Sequence, residues 1–137
     1  MRSETDLLYH EELASDEASI KTVEDILLSL SDRFSLSEEC SAKILVCVSE
    51  AVHNAIVHGN RCSTDKTVSL KIQEYQQGFR IQISDQGKGF DPSLLPDPTT
   101  ESNRQCCGGR GVFIIKTLAD QCKFSDQGRT VELVFQR

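Results

Sequence analysis

The stretch "VSEAVHNAIVHGN", residues 48–60, places Glu50, Asn54 and His58 four residues apart within an otherwise apolar segment. On a helix, residues four apart are rotated by roughly 40° from one another, because one turn contains 3.6 residues. The three polar side chains therefore share one stripe, and most apolar residues of the segment fall on the other side. Taken alone, such a stripe is more typical of a solvated helix surface than of a cleft.

The pattern around the stripe predicts two helices. Ser37 is a candidate N-cap, Glu38 and Glu39 follow in the first turn, where the helix dipole favours acids, and the helix is predicted to end near Gly59. An earlier helix is predicted over about residues 16–34, because apolar residues recur there at intervals of three and four. Helices thus fill the first half of the chain.

The second half is dominated by strand patterns. Alternating apolar and polar residues in "TVSLKIQEY" and "FRIQIS" predict an antiparallel hairpin around the turn at residues 76–78. Residues 85–111 hold five of the eight glycines and all three prolines, which predicts irregular chain. "GVFIIKTLADQC" is predicted as a helix, and "TVELVF" as a final strand after the turn at residues 126–128.

This order of elements predicts an α+β fold, a two-layer α/β sandwich with a mostly antiparallel sheet covered on one face by helices. The length of 137 residues suits one domain, residues 1–137, with one core. An acidic N-terminal stretch argues against a signal peptide, and no run of about 18 apolar residues offers a membrane span. We therefore expect a soluble cytoplasmic protein without membrane contact.

Charge and cysteine content exclude further classes. The 21 acidic and 15 basic side chains give a net charge of −6 without a basic cluster, which argues against direct nucleic-acid binding. The six cysteines form no C-x-x-C pair and have no histidine at zinc-ligand spacing, so no zinc site is predicted and a reducing cytoplasm fits best. A protein or small-molecule partner is the more plausible target.

Two further segments carry possible ligand chemistry. In "ISDQGKGFD", Asp85 ends a strand, where a carboxylate can accept a hydrogen bond from an exocyclic amine, and the following glycines allow a flat ring to approach the backbone. In "GGRGVFII", three glycines in four residues open a helix whose free N–H groups suit a phosphate. Taken singly, an ordinary turn and an ordinary helix start explain these two segments better.

Together the segments resemble a known domain. The motifs E-x-x-x-N-A-x-x-H-G-N (residues 50–60), D-x-G-x-G-F (85–90), G-G-R-G-V-F-I-I (108–115) and G-R-T (128–130) occur in the order found in the Bergerat-type ATP-binding domain that histidine kinases, gyrase-type ATPases and Hsp90 share. Within that superfamily the chain is most similar to the anti-sigma-factor serine/threonine-protein kinases of bacterial partner-switching systems. The resemblance covers nearly the whole chain.

The resemblance implies roles for individual residues. Asn54 would be a ligand of the Mg²⁺ that bridges the ATP phosphates, and Asp85 would bind the adenine amino group. Residues of about 91–107 would form a lid, with Arg104 as a second candidate beside Arg110 for neutralising phosphate charge. The implied nucleotide-binding set is Asn54, His58, Asp85, Gly87, Gly89, Phe90, Gly109, Arg110, Gly111, Val112 and Thr130.

Glu50 matches the acid that serves as general base toward the acceptor hydroxyl in these kinases. His58 is favoured for a structural or phosphate-neighbouring role over proton transfer. Two features depart from the better-known members, namely the adjacent Cys106 and Cys107 in the lid and Arg129 at a position where a small residue is common. The lid's arginine contacts are therefore the least certain part of the site.

The resemblance implies an ATP- and Mg²⁺-dependent serine/threonine-protein kinase that acts as an anti-sigma factor, phosphorylates a small anti-sigma-factor antagonist, binds a sigma factor and forms a homodimer. One alternative is a nucleotide-regulated binding module without kinase activity. A histidine-kinase catalytic domain is disfavoured, because the two-helix dimerisation hairpin does not fit before Ser37, although "YHEEL" around His10 faintly resembles a phosphoacceptor box. A gyrase- or Hsp90-type ATPase is disfavoured further.

Overall fold

An antiparallel sheet with helices on one face is the framework of the computed structural model, which describes residues 7–88 and 109–137, with backbone alone for residues 109–113. The strands in these ranges are β1 (Leu7–Ala14), β2 (Thr67–Tyr75), β3 (Gly78–Ser84), β4 (Gln121–Ser125) and β5 (Thr130–Gln136). The helices are α1 (Ala18–Phe34), α2 (Glu38–Asn54) and α3 (Gly109–Leu118). A π-helical turn, Ala55–Gly59, continues α2, and a 3₁₀ turn, Asp126–Gly128, joins β4 to β5.

The sheet order is β1-β2-β3-β5-β4, and every neighbouring pair is antiparallel. The last strand thus pairs with β3 rather than being added at an edge. Ser84 at the end of β3 lies opposite Thr130 at the start of β5. This register brings the chain that follows β3 beside the chain that precedes β5, at the edge of the sheet where the candidate site lies.

The core lies between the sheet and the helices. Fully buried side chains of α1 and α2, such as Val23 and Val48, share one apolar cluster with Ile72, Ile81 and Leu133 of the central strands. Burial of such aliphatic side chains stabilises a fold by about 1.5–3 kcal/mol each. The α+β sandwich predicted from the sequence is confirmed.

Several local predictions are also confirmed. The Ser37 side chain accepts a hydrogen bond from the Cys40 N–H at 3.1 Å, as an N-cap does. The predicted hairpin is the β2–β3 pair, in which Gln76 and Gln77 form the two-residue loop with positive φ angles of 48° and 64°. Two positive φ angles are typical of the type I′ turn that suits the twist of a hairpin.

Two strands were missed by the sequence analysis. Residues around His10 form the edge strand β1, and the predicted helix "GVFIIKTLADQC" is wrong in its last part, because α3 ends at Leu118 and Gln121–Ser125 is the other edge strand. Residues 109–111, predicted as irregular, are already helical. Only Leu13 of β1 is buried, and the alternation of β4 covers just five residues, so both strands give weak sequence signals.

One helical segment in the described part of the chain, Glu38–Gly59, has the length and mean hydropathy (1.4) of a membrane-crossing helix. The sequence analysis found no uninterrupted apolar run of this length. Ile44, Val48 and Val52 of this segment belong to the core against the sheet. A core helix passes the same test by composition alone, so the segment gives only weak support for a membrane span.

Candidate functional site

The carboxyl end of α2 widens into a π-helical turn beside the sheet. The Asn60 N–H donates to the Ala55 carbonyl at 2.8 Å, a bond between residues five apart. Single π turns within helices occur frequently at functional sites. Here the turn ends at Gly59, directly against the residues that follow β3.

Gly59, Asp85 and Gly87 form a close backbone contact. A Cβ atom on Gly59 would collide with the Asp85 carboxylate, and one on Gly87 would collide with the Gly59 carbonyl. Both positions therefore require glycine because of close approach. The Asp85 side chain is half-buried between them, and its Oδ1 accepts a hydrogen bond from the Gly87 N–H at 2.8 Å. No residue that the structure describes donates to Oδ2, which is left to accept a ligand hydrogen.

Asn60 links the π turn to three other segments, a role that the sequence analysis missed. Its side chain is 1% exposed, and its Nδ2 donates to Ser15 Oγ and to the Thr67 carbonyl, each at 2.9 Å. Its Oδ1 accepts from the Gln86 N–H at 2.7 Å. The amide thereby fixes the backbone between Asp85 and Gly87. The only sequence signal was the position of Asn60 at the end of the motif.

Asn60→Ala should lower the free energy of unfolding by roughly 2–5 kcal/mol, because Ser15 Oγ, the Thr67 carbonyl and the Gln86 N–H all lose their bond to the buried Asn60 amide. Urea denaturation followed by circular dichroism measures this change. Asn54→Ala is the matched control, since the half-buried Asn54 side chain makes no hydrogen bond to a described residue and should cost far less. Equal losses in the two variants would contradict the role assigned to Asn60.

The environment of Asp85 is electrostatically unusual. Burial raises the pKa of Asp85 above the usual range, whereas the hydrogen bond from Gly87 and the charges of Arg129 and Lys66 oppose the rise. The nearby Asp126 carboxylate adds to it. A carboxylate that is partly desolvated and still lacks a donor on one oxygen is poised to bind a positively polarised group of a ligand.

The polar stripe lies along α2 and its π turn. Glu50, Asn54 and His58 are all half-buried, while residues between them, such as Ala51 and Ile56, belong to the core. The predicted division of this helix into a polar and an apolar side is confirmed. Among the described residues, neither the Glu50 carboxylate nor the Asn54 amide has a side-chain hydrogen-bond or ion-pair partner.

His58 lies beside a second histidine. The rings of His53 and His58 are 6.1 Å apart in an edge-to-face arrangement. Burial, and secondly the charge of His53, lower the pKa of His58. Both effects favour the neutral form of the His58 ring, which can both donate and accept a hydrogen bond.

Thr130 and its neighbours lie beside Asp85 at the end of the sheet. The buried Thr130 Oγ1 lies 2.9 Å from Ser84 Oγ, and either hydroxyl can donate. The Asp85 N–H donates to the Arg129 carbonyl at 2.9 Å. The start of β5 thus lies directly beside Asp85, although the two are far apart in sequence.

Part of the predicted site cannot be placed. Gly89, Phe90, Arg104, Cys106 and Cys107 lie outside the described residues. Backbone positions alone are described for four further predicted residues, which all fall in the first turn of α3. These four are Gly109, Arg110, Gly111 and Val112.

The described residues contain no group of three or more His, Cys, Asp and Glu side chains able to hold a metal ion. Zinc or calcium held by protein ligands alone would need such a group. Mg²⁺ would not, because it commonly keeps several waters and binds through one or two protein oxygens together with substrate phosphates. The open side-chain oxygen of Asn54 is the one predicted protein ligand.

Comparison with known families identifies the domain. The model of a family described as the histidine kinase-like ATPase domain matches residues 13–135. The chain belongs to this family. The matched residues of this histidine kinase-like ATPase domain include both Asp85 and the polar stripe on α2.

The relatives of this histidine kinase-like ATPase domain include bacterial proteins named serine-protein kinase RsbW. The RsbW protein of Listeria monocytogenes is 28% identical over 112 residues, which cover 77% of this chain and 71% of the relative. That of Staphylococcus epidermidis is 30% identical over 128 residues, covering 85% and 80%. The resemblance to the serine/threonine kinase branch of the superfamily is therefore confirmed.

A solved structure supports the fold. The RsbU and RsbW domains of a Mycobacterium tuberculosis protein match with a TM-score of 0.63 and 16% identity, over 93% of this chain and 31% of that one. The chain therefore spans about a third of that structure. At this identity the match shows the shared α+β fold alone.

Proposed function

We propose that this protein is an ATP- and Mg²⁺-dependent serine/threonine-protein kinase that acts as an anti-sigma factor. It transfers phosphate to a serine or threonine of a small anti-sigma-factor antagonist and binds a sigma factor. The observation that carries the proposal is the position of Glu50 one helical turn before Asn54, on the same face of the helix. Both side chains are half-buried, and neither is bonded to a described residue.

This spacing supports separate roles for the two residues. Phosphoryl transfer needs chiefly positioning, charge neutralisation and a group that takes the acceptor proton. Asn54 holds the metal through its side-chain oxygen, and Glu50 accepts the hydroxyl proton of the acceptor. When bound, Mg²⁺ supplies neutralisation of phosphate charge. Asp85 orients the nucleotide by accepting a hydrogen bond from the adenine amine at Oδ2, since Oδ1 already accepts from Gly87.

The two closely approaching glycines support adenine binding at this place. The absence of a Cβ atom at Gly59 and Gly87 lets the π turn pack directly against the Asp85 carboxylate and the segment after β3. This packing fixes the carboxylate that is proposed to bind the adenine amine. The hydrogen-bonded hydroxyls of half-buried Ser84 and buried Thr130 lie next to it at the end of the sheet.

A transfer assay tests the proposal. The purified protein is incubated with labelled ATP, Mg²⁺ and a candidate antagonist protein, with a Ser→Ala version of the antagonist as control. Label on the wild-type antagonist alone supports the kinase. If the protein bound ATP and a sigma factor but transferred no phosphate, the nucleotide-regulated binding module would be the better interpretation.

Asp85→Asn should weaken ATP binding by about 10-fold or more. The carboxylate offers one oxygen to the Gly87 N–H and the other to the adenine amine, whereas an amide has one oxygen and satisfies only one of the two donors. Isothermal titration calorimetry measures this loss. Asp65→Asn, which removes an exposed acid elsewhere, is the control and should bind normally.

The raised pKa of Asp85 also predicts a pH dependence. The affinity of the wild-type protein for ATP should fall as the pH falls through this pKa. This loss should occur at a higher pH than for an ordinary aspartate. The Asp85→Asn variant should not show it. Stability should change in the opposite direction. The folded state binds the proton more tightly than the unfolded state, so acidification removes the cost of the buried charge. A wild-type affinity that is flat over this range would contradict the role of Asp85.

Four accompanying expectations belong to the same proposal. The protein is a single domain over residues 1–137, forms a homodimer, resides in the cytoplasm, and contacts neither nucleic acid nor membrane. Size-exclusion chromatography with light scattering tests the dimer, and a pull-down from the native cell with and without ATP tests the partners. A sigma factor or a small antagonist among the captured chains would support the proposed biology.

A further inference from the structure

We propose that Arg129 is a positioning residue for nucleotide binding, because its guanidinium holds the backbone of residues 87–88 in the form that the base pocket needs. The inference rests on the proposed function, since it concerns how the adenine site is kept in shape. It assigns a role to the residue at which this chain departs from the common pattern.

The contacts of Arg129 reach across more than 40 positions of sequence. Its Nε donates to the Gly87 carbonyl at 2.7 Å, and a terminal nitrogen donates to the Lys88 carbonyl at 3.2 Å. Its own carbonyl accepts from the Asp85 N–H at 2.9 Å. Arg129 therefore bonds to both ends of the segment 85–88, through its main chain at one end and its side chain at the other.

The guanidinium is itself held in place. Its other terminal nitrogen donates to the Asp126 carbonyl and to Gln127 Oε1, each at 3.2 Å. Asp126 and Gln127 have positive φ angles of 51° and 57°, and Gly128 follows at 83°. This left-handed run turns the chain just before Arg129, whose side chain reaches the carbonyls of Gly87 and Lys88. The turn between β4 and β5 thus acts as the support of the segment after Asp85.

Arginine suits this position better than lysine. A planar guanidinium presents several N–H donors in a fixed arrangement, whereas a lysine ammonium is a single point from which donors radiate. Bonds to two successive carbonyls and to the turn at once require the wider group. The charge of Arg129 also faces Asp85, together with that of Lys66, and opposes the effect of burial and of Asp126.

Two variants separate the effect of the guanidinium's hydrogen bonds from the effect of its charge. Arg129→Lys keeps the charge but cannot reach all the carbonyls, and Arg129→Gln removes both charge and most donors. Arg80→Gln is the matched control, because Arg80 bonds to Gln73 on the sheet, away from the pocket. For each protein, the Kd for ATP is measured by calorimetry from neutral to acid pH, KM and kcat are measured in the transfer assay, and thermal melting reports folding.

We expect Arg129→Lys to weaken ATP binding by roughly 10-fold, with an unchanged pH midpoint for the loss of affinity. Arg129→Gln should bind at least as weakly, and its midpoint should move to higher pH, because Asp85 loses a neighbouring positive charge. In both variants KM for ATP should rise while kcat at saturating ATP stays near the wild-type value. A purely structural role would not move the pH midpoint.

The inference would be overturned if Arg129→Gln bound ATP with the wild-type Kd and pH midpoint, or if Arg80→Gln had the same effect. If neither Arg129 variant folds, the residue is structural and the positioning role is likewise rejected. Failure of the wild-type protein to bind ATP is a different result, which refutes the proposed function itself.

Discussion

Replacing Glu50 with glutamine should reduce the rate of phosphate transfer by about 100- to 10,000-fold, the contribution typical of general-base catalysis. Glutamine keeps the size and the hydrogen-bonding shape of the side chain but cannot accept a proton at neutral pH. ATP affinity should stay at the wild-type value, because no contact to the base pocket is removed. Single-turnover transfer to the antagonist and calorimetric ATP binding measure the two quantities separately.

Glu50→Asp is a useful companion, because it keeps the carboxylate and shortens the side chain by one methylene group. It should retain part of the activity that Glu50→Gln loses. An exposed acid of the same helix, Glu39, gives the control variant Glu39→Gln, which should transfer phosphate normally. Transfer by Glu50→Gln at the wild-type rate would show that Glu50 is not the base. Equal losses of ATP affinity and of transfer would show that it is a binding residue.

Asn54→Ala should weaken binding of ATP in the presence of Mg²⁺ by about 10- to 100-fold, the range expected when an oxygen that contacts a charged group is removed. Binding measured with excess chelator should change much less, because the base pocket at Asp85 is intact. The comparison of the two conditions identifies the loss as one of metal-dependent affinity. Calorimetry with and without Mg²⁺ provides the measurement.

The variant Asn54→Asp keeps a side-chain oxygen at this position and should recover part of the Mg²⁺-dependent affinity. Stability gives a second check, since Asn54→Ala is expected to unfold at nearly the wild-type urea concentration, unlike Asn60→Ala. Equal weakening of ATP binding with and without Mg²⁺ would contradict a metal-ligand role. It would instead place Asn54 among the residues that bind the nucleotide directly.

The central elements could be predicted from local patterns because they are strongly amphipathic. Helix α2 has an N-cap at Ser37 and a continuous apolar side, and strands β2 and β3 alternate cleanly around a two-residue turn. These patterns follow from burial of one face, so the sequence alone identified them. The polar stripe on α2 was located for the same reason.

The edge strands gave weaker patterns, absent in β1 and limited to five residues in β4. In β1, only Leu13 is buried, and Glu11 and Glu12 occupy consecutive exposed positions. In β4, Cys122 and Phe124 are half-buried, and the strand begins only three residues after a helix. Pairing with β2 and β5 stabilises these segments through the backbone, a tertiary effect that local propensity does not report.

The arrangement of residues around Asp85 also depends on distant contacts. Asp85 and Gly87 were found from their motif, but the fit of Gly59 against them and the bonds from Asn60 and Arg129 join segments that are 26 to 42 residues apart. Nothing in a single sequence distinguishes a buried asparagine with three partners from one that ends a helix in solvent. Such partners become visible only when the fold brings them together.

The π turn at Ala55–Gly59 makes the position of Gly59 depend on the number of residues in this segment as well as on their identity. A π turn contains one residue more than the α turn it replaces. Deleting one residue here would favour an ordinary α turn and leave Gly59 pointing in nearly its present direction. Inserting a further residue into an α-helical turn before it would instead rotate Gly59 by about 100° away from Asp85, because each residue of an α-helix advances by that angle. Glu50 and Asn54 lie before the π turn and would keep their places in both variants. We therefore expect an insertion at this turn to disturb the contact between Gly59 and Asp85 far more than a deletion does.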